Sequence, residues 1–305
     1  MAKRIFLFAL VNILVVTTLS VVLGLLGVGR YIPHSYYGSI GGLQGLAIWC
    51  LVWGFGGAFI SLMISRLMAK WFMGVQVVDP NTSDQQLRSL VDTVHGLARE
   101  AGLPMPEVGV FDSPQVNAFA TGPTRARSLV AVSTGLLQNL NTRQATAVLG
   151  HEVTHIANGD MVTLTLIQGV INALVLFVAR ILAFVVSQAM RGRDDRGSFW
   201  VEWLLYQAFQ IVFSLLGFMV VCWFSRQREF RADAGGARLA GRQNMIDALR
   251  SLERLHNPAL AAASGQSGSQ AFQAMMIDNP RRALLFATHP PIEERIARLE
   301  AAQIS

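Results

Sequence analysis

Long apolar stretches constrain this chain more than any other feature of its sequence. They cover residues 5–29, 41–64, 161–189 and 201–225. The first two contain no charged residue, the third is interrupted by Arg180, and the fourth holds Glu202 near one end. A helix needs about 20 apolar residues to cross the hydrocarbon core of a bilayer, and each stretch is long enough. The sequence therefore predicts a mainly α-helical integral membrane protein with four transmembrane segments.

Composition and charge agree with a membrane protein. Apolar residues make up 52% of the chain and charged residues only 14%, which is unusual for a soluble domain. The net charge of +6 comes from lysines and arginines near the ends of the apolar stretches rather than from one basic patch. That distribution favours contact with an anionic bilayer surface and argues against nucleic acid as a partner. Cys50 and Cys222 lie within apolar stretches, so we interpret them as packing residues rather than as a disulfide.

The positions of the charges also predict the membrane topology. Lysines and arginines precede the first stretch and follow the second and the fourth, whereas only Arg30 lies between the first two. Because cytoplasmic loops are rich in such residues, we expect both termini and residues 66–160 on the cytoplasmic side. Residues 5–29 are too long for the apolar part of a cleaved signal peptide, so we expect a retained anchor. Arg180 leaves open an alternative, in which the third and fourth stretches form a re-entrant hairpin.

The apolar stretches divide the remaining residues into two polar blocks. We predict a pair of transmembrane helices at 1–65, the first half of a cytoplasmic domain at 66–160, a transmembrane hairpin at 161–225 and the second half at 226–305. In the first half, the apolar periodicity predicts a helix with Ser83 as its N-cap. Three short alternating runs, PEVGVFDS, VNAFATG and RSLVAVSTGLL, predict a small sheet. The cytoplasmic domain is therefore expected to be α+β.

Further helices are expected on both sides of the hairpin. Asn141 and Gln144 are spaced as a capping box, which predicts a helix through TRQATAVLGHEVTHIANG. After the fourth stretch we expect a separate helix at SRQREFRADAGGARLAG, a helix from Arg242 to about His256, and a Pro-initiated helix in ATHPPIEERIARLEAA. Residues 257–280 are rich in Ala, Ser, Gly and Gln, which is typical of a linker or lid.

A His-Glu-x-x-His cluster lies just before the third apolar stretch. Residues four apart share a helical face, so His151 and His155 can offer ring nitrogens to a single metal ion. Glu152 would point beside that ion, where its carboxylate can act on a bound water molecule. The cluster therefore indicates a hydrolytic zinc site.

A catalytic zinc ion usually takes three protein ligands, so the cluster needs a third. A histidine six residues after the second one is excluded, because that position is Met161. A downstream carboxylate remains, and Glu229 and Asp233 are four residues apart on one predicted helical face. Glu229 as the ligand, with Asp233 hydrogen-bonded to a ligand histidine, would use both carboxylates. The alternative is that both form salt bridges with neighbouring arginines, namely Arg226, Arg228 and Arg231.

The motifs GHEVTHIANGDM, FSRQREFRADAGG, VNAFATG and THPPIEERI together resemble the HtpX-like membrane zinc metallopeptidases, which are relatives of the type-I CAAX prenyl endoproteases. The resemblance covers nearly the whole chain. It implies a zincin-like cytoplasmic domain that holds one zinc ion (Zn²⁺) per subunit. It also implies that His151, His155 and Glu229 are the zinc ligands and that Glu152 is the catalytic base.

The same resemblance implies further site residues and a cellular role. Asp233 would support a ligand, and His289 would lie near the substrate oxygen. An edge strand that pairs with an extended substrate would consist of Asn117, Ala118, Phe119 and Ala120. The expected location is the bacterial inner membrane, with the active site facing the cytoplasm. The expected substrates are misfolded membrane proteins or unfolded polypeptides, as part of stress-related quality control alongside other membrane proteases.

Two other functions fit parts of the pattern. A CAAX-type prenyl-protein endoprotease would use the same zinc site, but that group carries more spans around a large chamber than four segments supply. A membrane transporter or scaffold could bind metal without hydrolysis, but transport sites normally lie within spans near the midplane. In this chain the histidines precede a span, and Glu152 would have no purpose. We therefore expect a membrane-bound zinc endopeptidase.

Overall fold

A computed structural model of the chain describes residues 42–190, 198–256 and 287–302. The helices are α1 (Gly42–Phe72), α2 (Gln85–Glu100), α3 (Thr134–Asn139), α4 (Thr142–Asn158), α5 (Asp160–Met190), α6 (Ser198–Ala240), α7 (Arg242–His256) and α8 (Ile292–Ala301). The strands are β1 (Gln76–Val77), β2 (Glu107–Phe111), β3 (Ala118–Thr124) and β4 (Arg127–Ser133). The predicted span at residues 5–29 and the predicted linker at residues 257–280 lie outside the described residues.

The chain divides into two compact units. Among the described residues, one unit contains 42–61, 163–190 and 198–221, and the other contains 62–162, 222–256 and 287–302. The described part of the first unit consists of apolar helix segments. The second unit contains the sheet and the helix with the His-Glu-x-x-His cluster.

Three helices of the described chain, α1, α5 and α6, are long and apolar enough to cross a membrane. These helices contain the second, third and fourth apolar stretches of the sequence. The prediction of a mostly helical membrane protein with a small sheet is therefore confirmed, and three of the four predicted segments are seen as helices of sufficient length.

Within the first unit, α1 and α5 pack through small residues. A Cβ atom added to Gly54 on α1 would lie 2.6 Å from the backbone nitrogen of Ala173 on α5. Such close approach is common between membrane helices, which associate largely through van der Waals packing. Arg180 on α5 places its guanidinium carbon 5.0 Å from the centre of the Tyr206 ring on α6. The charge that interrupts the third stretch therefore has an aromatic partner within this unit.

The helix predicted after the fourth stretch is not separate, which corrects that expectation. A single helix, α6, runs for 43 residues through the apolar stretch and through SRQREFRADAGGARLA. The residues that follow the apolar stretch are mostly good helix formers, and no proline interrupts them. Glu229 and Asp233 therefore lie on the same continuous helix as the fourth apolar stretch.

The sheet has the strand order β1–β2–β4–β3. β2 pairs with β4 in parallel, whereas β1 pairs with β2 and β3 pairs with β4 in antiparallel orientation. The three predicted strands are present as β2, β3 and β4. β1 was not predicted, because two residues are too short to show an alternating pattern. β3 lies at one edge of the sheet, and the chain passes into β4 at a bulge where Gly122 adopts a φ of 139°.

Helices α2 and α4 share one hydrophobic core with the sheet. Val94 on α2, Val130 and Val132 on β4, and Leu149 and Val153 on α4 are all buried in this cluster. Burial of such side chains contributes about 1.5–3 kcal/mol each relative to exposure. The face of α4 that carries Leu149 and Val153 is thereby fixed against the sheet, and this sets the direction of its histidines.

Capping interactions set the ends of the helices that frame the site. The N-cap of α2 is Asp84, not Ser83 as the sequence suggested, because the Asp84 carboxylate accepts hydrogen bonds from two backbone N–H groups. The capping box predicted at Asn141 and Gln144 is present at the start of α4. Helix α4 ends at Asn158 and is capped by Gly159, which adopts the left-handed conformation (φ 67°, ψ 36°).

The C-terminal helices pack on the other side of α4. Met245 and Leu249 of α7 form a buried cluster with Ala147 of α4 and Leu299 of α8. The Pro-initiated helix predicted near the C-terminus is present as α8, with Pro291 at its N-cap position. This packing brings residues from the end of the chain to the helix that carries the histidines.

Candidate metal centre

Helices α4 and α6 approach each other closely at two glycines. A Cβ atom added to Gly236 on α6 would lie 2.9 Å from the backbone nitrogen of His151 on α4. One added to Gly235 would lie 2.2 Å from Cγ2 of Thr154. The absence of a side chain at both positions lets the two backbones come this close. Glu229 lies two turns before Gly236 on the same face, so the close approach brings its carboxylate to the histidines.

Three side chains converge where the helices meet. Nε2 of His151 lies 3.1 Å from Nε2 of His155. The Glu229 carboxylate oxygens lie 3.3 Å from Nε2 of His151 and 3.4 Å from Nε2 of His155. All three residues are buried, with Glu229 only 1% exposed. The three ligand atoms lie within 4.8 Å of one another, and this trio is the candidate metal site of the described residues.

The spacing of these atoms suits a tetrahedral cation. Two ligand atoms that are each about 2.0–2.1 Å from a tetrahedral zinc ion lie roughly 3.3 Å apart. The three observed separations, 3.1, 3.3 and 3.4 Å, are close to that value. Two imidazole nitrogens and one carboxylate form a donor set that zinc accepts in hydrolytic enzymes. The residues present therefore fit a zinc ion.

Each histidine has a carboxylate on its far ring nitrogen. Nδ1 of His151 lies 2.9 Å from Oδ1 of Asp233. The Asp233 carboxylate in turn accepts two hydrogen bonds from Arg295 of α8, one from Nε at 2.8 Å and one from a terminal nitrogen at 2.6 Å. Nδ1 of His155 lies 2.7 Å from Oδ2 of Asp160. A carboxylate in this position fixes the ring orientation and the tautomer that leaves Nε2 free to bind a metal.

The sequence indicated Asp233 but not Asp160 or Arg295. Asp160 follows Gly159, the C-cap of α4. Its contact with His155 therefore cannot be predicted from helical spacing. Arg295 lies 62 residues beyond Asp233, so only the tertiary fold brings the two together. The only sequence signal for Arg295 was its place in the C-terminal motif. The amphipathic pattern of α8 does not tell a buried arginine from a solvated one.

The carboxylates around the histidines also favour their charged forms. Burial lowers the pKa of His151, but the hydrogen bonds with Asp233 and Glu229 outweigh it and raise the pKa to about 9. Burial likewise opposes charge on His155, yet its bonds with Asp160 and Glu229 raise its pKa above the usual value. The site is therefore strongly attractive to positive charge. A bound divalent cation would displace protons from it.

A cavity of about 280 Å³ opens beside His151 and Glu229. Glu152 lines it together with His151 and Glu229. Most of its other lining residues are apolar and come from α3, α4, α7 and α8, namely Leu136, Val148, Met245, Ala248, Leu249, Leu252 and Ile292. A polypeptide side chain could occupy this cavity next to Glu152.

The predicted edge strand borders the same cavity. Asn117 and Ala118 are among its lining residues, and β3 packs beside α4. The strand begins at Ala118, so Asn117 lies just before it, while Phe119 and Ala120 belong to it. Asn117 is held by Ser133, because their backbone groups and the Ser133 hydroxyl exchange hydrogen bonds. The partly exposed start of β3 therefore faces the candidate centre.

His289 also lines the cavity. Its Nδ1 is 2.9 Å from Oε2 of Glu229, and its side chain is 65% exposed. The residues around it are attached to α6, since Arg226 donates a hydrogen bond to the carbonyl oxygen of Ala287 at 2.8 Å. The structure therefore places His289 beside the candidate ligand Glu229, with most of its ring open to solvent.

A helical His-Glu-x-x-His cluster that faces a buried glutamate, in a chain with membrane-length apolar helices, defines the class of membrane-bound metallopeptidases. Comparison with known proteins agrees. The chain belongs to peptidase family M48, whose pattern matches residues 84–303.

Individual relatives extend over the full chain. The chain is 49% identical over 302 residues to the Protease HtpX of Thioalkalivibrio sulfidiphilus, covering 99% of both proteins. It is also 49% identical over 310 residues to the Protease HtpX homolog of Bacillus subtilis, covering 99% of this chain and 100% of the relative. Among solved structures, Ste24p of S. mikatae has a similar fold, with a TM-score of 0.62 at 17% identity. That match covers 98% of this chain and 67% of Ste24p. The expected resemblance to HtpX-like metallopeptidases is confirmed.

Proposed function

We propose that this metalloprotease binds one zinc ion through His151, His155 and Glu229 and uses Glu152 as its general base. The convergence of three buried ligand atoms next to Glu152 is the observation that carries the proposal. When bound, zinc lowers the pKa of a water ligand to about 7 and polarises a carbonyl group. The separations between the ligand atoms and the nature of the donors support zinc as the ion.

The side chains around the ion have separate tasks in peptide hydrolysis. Glu152 lines the cavity, where it accepts a proton from the attacking water and returns it to the leaving amine. Asp233 holds His151 so that its Nε2 points to the ion. His289, which lines the cavity, donates a hydrogen bond to the substrate oxygen as negative charge develops on it.

The substrate is an extended polypeptide. β3 is an edge strand, and its first residue lines the cavity beside Glu152. A substrate segment that pairs with β3 through backbone hydrogen bonds would present a peptide bond to the site independently of sequence. The apolar wall of the cavity favours an apolar side chain next to the cleaved bond. Membrane proteins and unfolded chains expose many such segments.

The biological role follows from this substrate class and from the charges. The positions of lysine and arginine favour an active site on the cytoplasmic side of a bacterial inner membrane. An enzyme there that accepts unfolded apolar segments would remove misfolded or damaged membrane proteins. This is a quality-control function, exercised alongside other membrane proteases.

Zinc content and proteolysis of the purified protein in detergent test the proposal. Wild type should contain one zinc ion per chain and cleave casein, and a chelator should stop the cleavage. Glu152→Gln should retain zinc and lose proteolysis, because an amide cannot accept the proton. Glu229→Ala should lose zinc and proteolysis together. Glu100→Gln, an exposed position at the end of α2, is the matched control and should behave as wild type.

Other outcomes would support a different function. Zinc loss in Glu152→Gln, or activity close to wild type, would contradict the role of Glu152 as base. Cleavage of a farnesylated CAAX peptide but not of an unfolded membrane protein would support a prenyl-protein endoprotease. Folded, zinc-loaded protein without any proteolysis would support a metal-binding scaffold or transporter instead.

A further inference from the structure

The second histidine of the cluster is held by a residue that begins the next helix. Nδ1 of His155 lies 2.7 Å from Oδ2 of Asp160, and both residues are buried, with Asp160 only 1% exposed. His155 and Asp160 belong to the same compact unit. The contact is closer than the one between His151 and Asp233, which is 2.9 Å. Asp160 is therefore as well placed to control His155 as Asp233 is to control His151.

A single glycine creates this contact. Helix α4 ends at Asn158, and Gly159 then takes the left-handed conformation. Because of this turn, α5 begins at once with Asp160, and its carboxylate reaches back to the helix that has just ended. A residue five positions after His155 in a continuous helix would point away from it. The sharp turn at Gly159 therefore allows Asp160 to contact the imidazole of His155.

We propose that Asp160 is the positioning residue for His155: it accepts the Nδ1–H hydrogen bond and so directs Nε2 of His155 to the metal. This inference rests on the proposed function, in which His155 binds zinc. With Asp160 in place, one tautomer and one ring orientation are set before the metal arrives. Without it, the imidazole samples other tautomers and orientations, and metal affinity falls.

The location of Asp160 gives this role a structural consequence. It is the first residue of α5, the helix that contains the third apolar stretch. The support for a metal ligand is therefore built into the start of a membrane-length helix. Asp233, the support for the other histidine, is likewise on a membrane-length helix, α6. Both histidines thus depend on carboxylates that the two helices of the predicted hairpin provide.

Asp160 could instead serve only to stabilise the start of α5, since acidic residues are favourable in the first turn of a helix. Zinc affinity and stability without zinc distinguish the two roles. Asp84 caps α2 through two backbone N–H groups and lies outside the metal site. It is therefore a matched control for an acidic residue that only stabilises the start of a helix. Its loss should change stability in a chelator and leave zinc affinity unchanged.

The experiment measures the zinc affinity of the full-length protein in detergent by competition with a chromophoric chelator. Asp160→Ala should bind zinc about 10–100-fold more weakly than wild type. Asp160→Asn should fall between the two, because its amide oxygen still accepts the Nδ1–H bond but carries no charge. Asp84→Ala should bind zinc as wild type does. Wild-type affinity in both Asp160 variants, or an equal loss in Asp84→Ala, would overturn the inference.

A spectroscopic measurement covers the case in which Asp160→Ala does not fold. In the zinc-loaded protein with ¹⁵N-labelled histidine, His155 should show the Nδ1–H tautomer, with the ring signal assigned through its correlations to the backbone. Asp160→Asn, which keeps the shape of the side chain, should shift or broaden that signal and leave the His151 signal in place. An unchanged His155 signal would overturn the inference.

Failure of the inference and failure of the proposed function give different results. If Glu229→Ala and His155→Ala bind zinc as tightly as wild type, the proposed zinc site itself is wrong. If those two variants lose zinc while both Asp160 variants keep wild-type affinity, the zinc site stands and only the role of Asp160 is wrong.

Discussion

Replacement of Gly236 by alanine tests whether the close approach of α4 and α6 builds the metal centre. The added Cβ would lie 2.9 Å from the backbone nitrogen of His151 and 3.1 Å from its Cα. Favourable contacts between such atoms begin at about 3.5 Å, so α6 must move away by roughly 0.5 Å. Both atoms belong to backbone, so no flexible side chain can move aside. Glu229 lies two turns away on the same face and would move with Gly236.

The consequence for zinc follows from these distances. Bond lengths in a zinc site tolerate deviations of only about 0.2 Å, which is less than the expected displacement. We expect Gly236→Ala to lower zinc affinity by about tenfold or more, which corresponds to about 1.4 kcal/mol or more. Overpacking should cost about 1–3 kcal/mol in folding stability. The better helix propensity of alanine offsets about 1 kcal/mol of that cost.

The assay combines zinc affinity by chelator competition with thermal unfolding in a chelator. Gly96→Ala is the matched control, because Gly96 lies within α2 and an added Cβ would meet nothing within 4 Å. That control should keep zinc affinity and gain roughly 0.5–1 kcal/mol in stability. If Gly236→Ala binds zinc as wild type and gains stability as Gly96→Ala does, the close approach of the helices does not set the site.

Three further predictions concern the ligand set, the cavity and the topology. Asp233→Asn should weaken zinc binding or activity by roughly 10–100-fold, whereas Glu229→Ala should lose the metal; equal total loss would mean the two roles are exchanged. Leu252→Ala enlarges the cavity, so mass spectrometry of cleaved products should show larger residues beside the cut, with preferences changed about 10–200-fold; unchanged cleavage sites would remove this cavity from substrate selection. A Ser83→Cys variant should react with an impermeant thiol reagent only after cells are broken, and labelling of intact spheroplasts would reverse the predicted topology.

The sequence predicted those parts of the fold that depend on short-range patterns. The capping box at Asn141 and Gln144 marks the start of α4, and alternating apolar residues mark β2, β3 and β4. The His-Glu-x-x-His spacing places two histidines on one face because a helix has a fixed period. These features need only the neighbours within a turn or a strand, so a single sequence contains them.

The remaining features depend on distant residues or on a competition between neighbours. Ser83 and Asp84 are both good N-caps, and only the observed hydrogen bonds select Asp84. The change in polarity after Ser225 predicts the start of a new helix, although the backbone of α6 continues through that change. Asp160 was missed because the turn at Gly159 abolishes the helical spacing from which contacts are predicted.

The link from α8 to the centre shows how far the site depends on such long-range contacts. Arg295 offers Asp233 two parallel hydrogen bonds, and both residues are buried, with 9% and 2% exposed. Lysine has a single ammonium group in place of the planar guanidinium. Arg295→Lys should therefore lose one of the two hydrogen bonds to the Asp233 carboxylate. We expect a loss of about 1–3 kcal/mol in stability and a weaker zinc site, because Asp233 then holds His151 less firmly. Arg298→Lys is the control, since Arg298 also lies on α8 but contacts the Phe230 ring and Glu294 instead. If Arg295→Lys and Arg298→Lys lower zinc affinity equally, α8 acts only by packing, and the path from Arg295 through Asp233 to His151 has no separate effect on the metal centre.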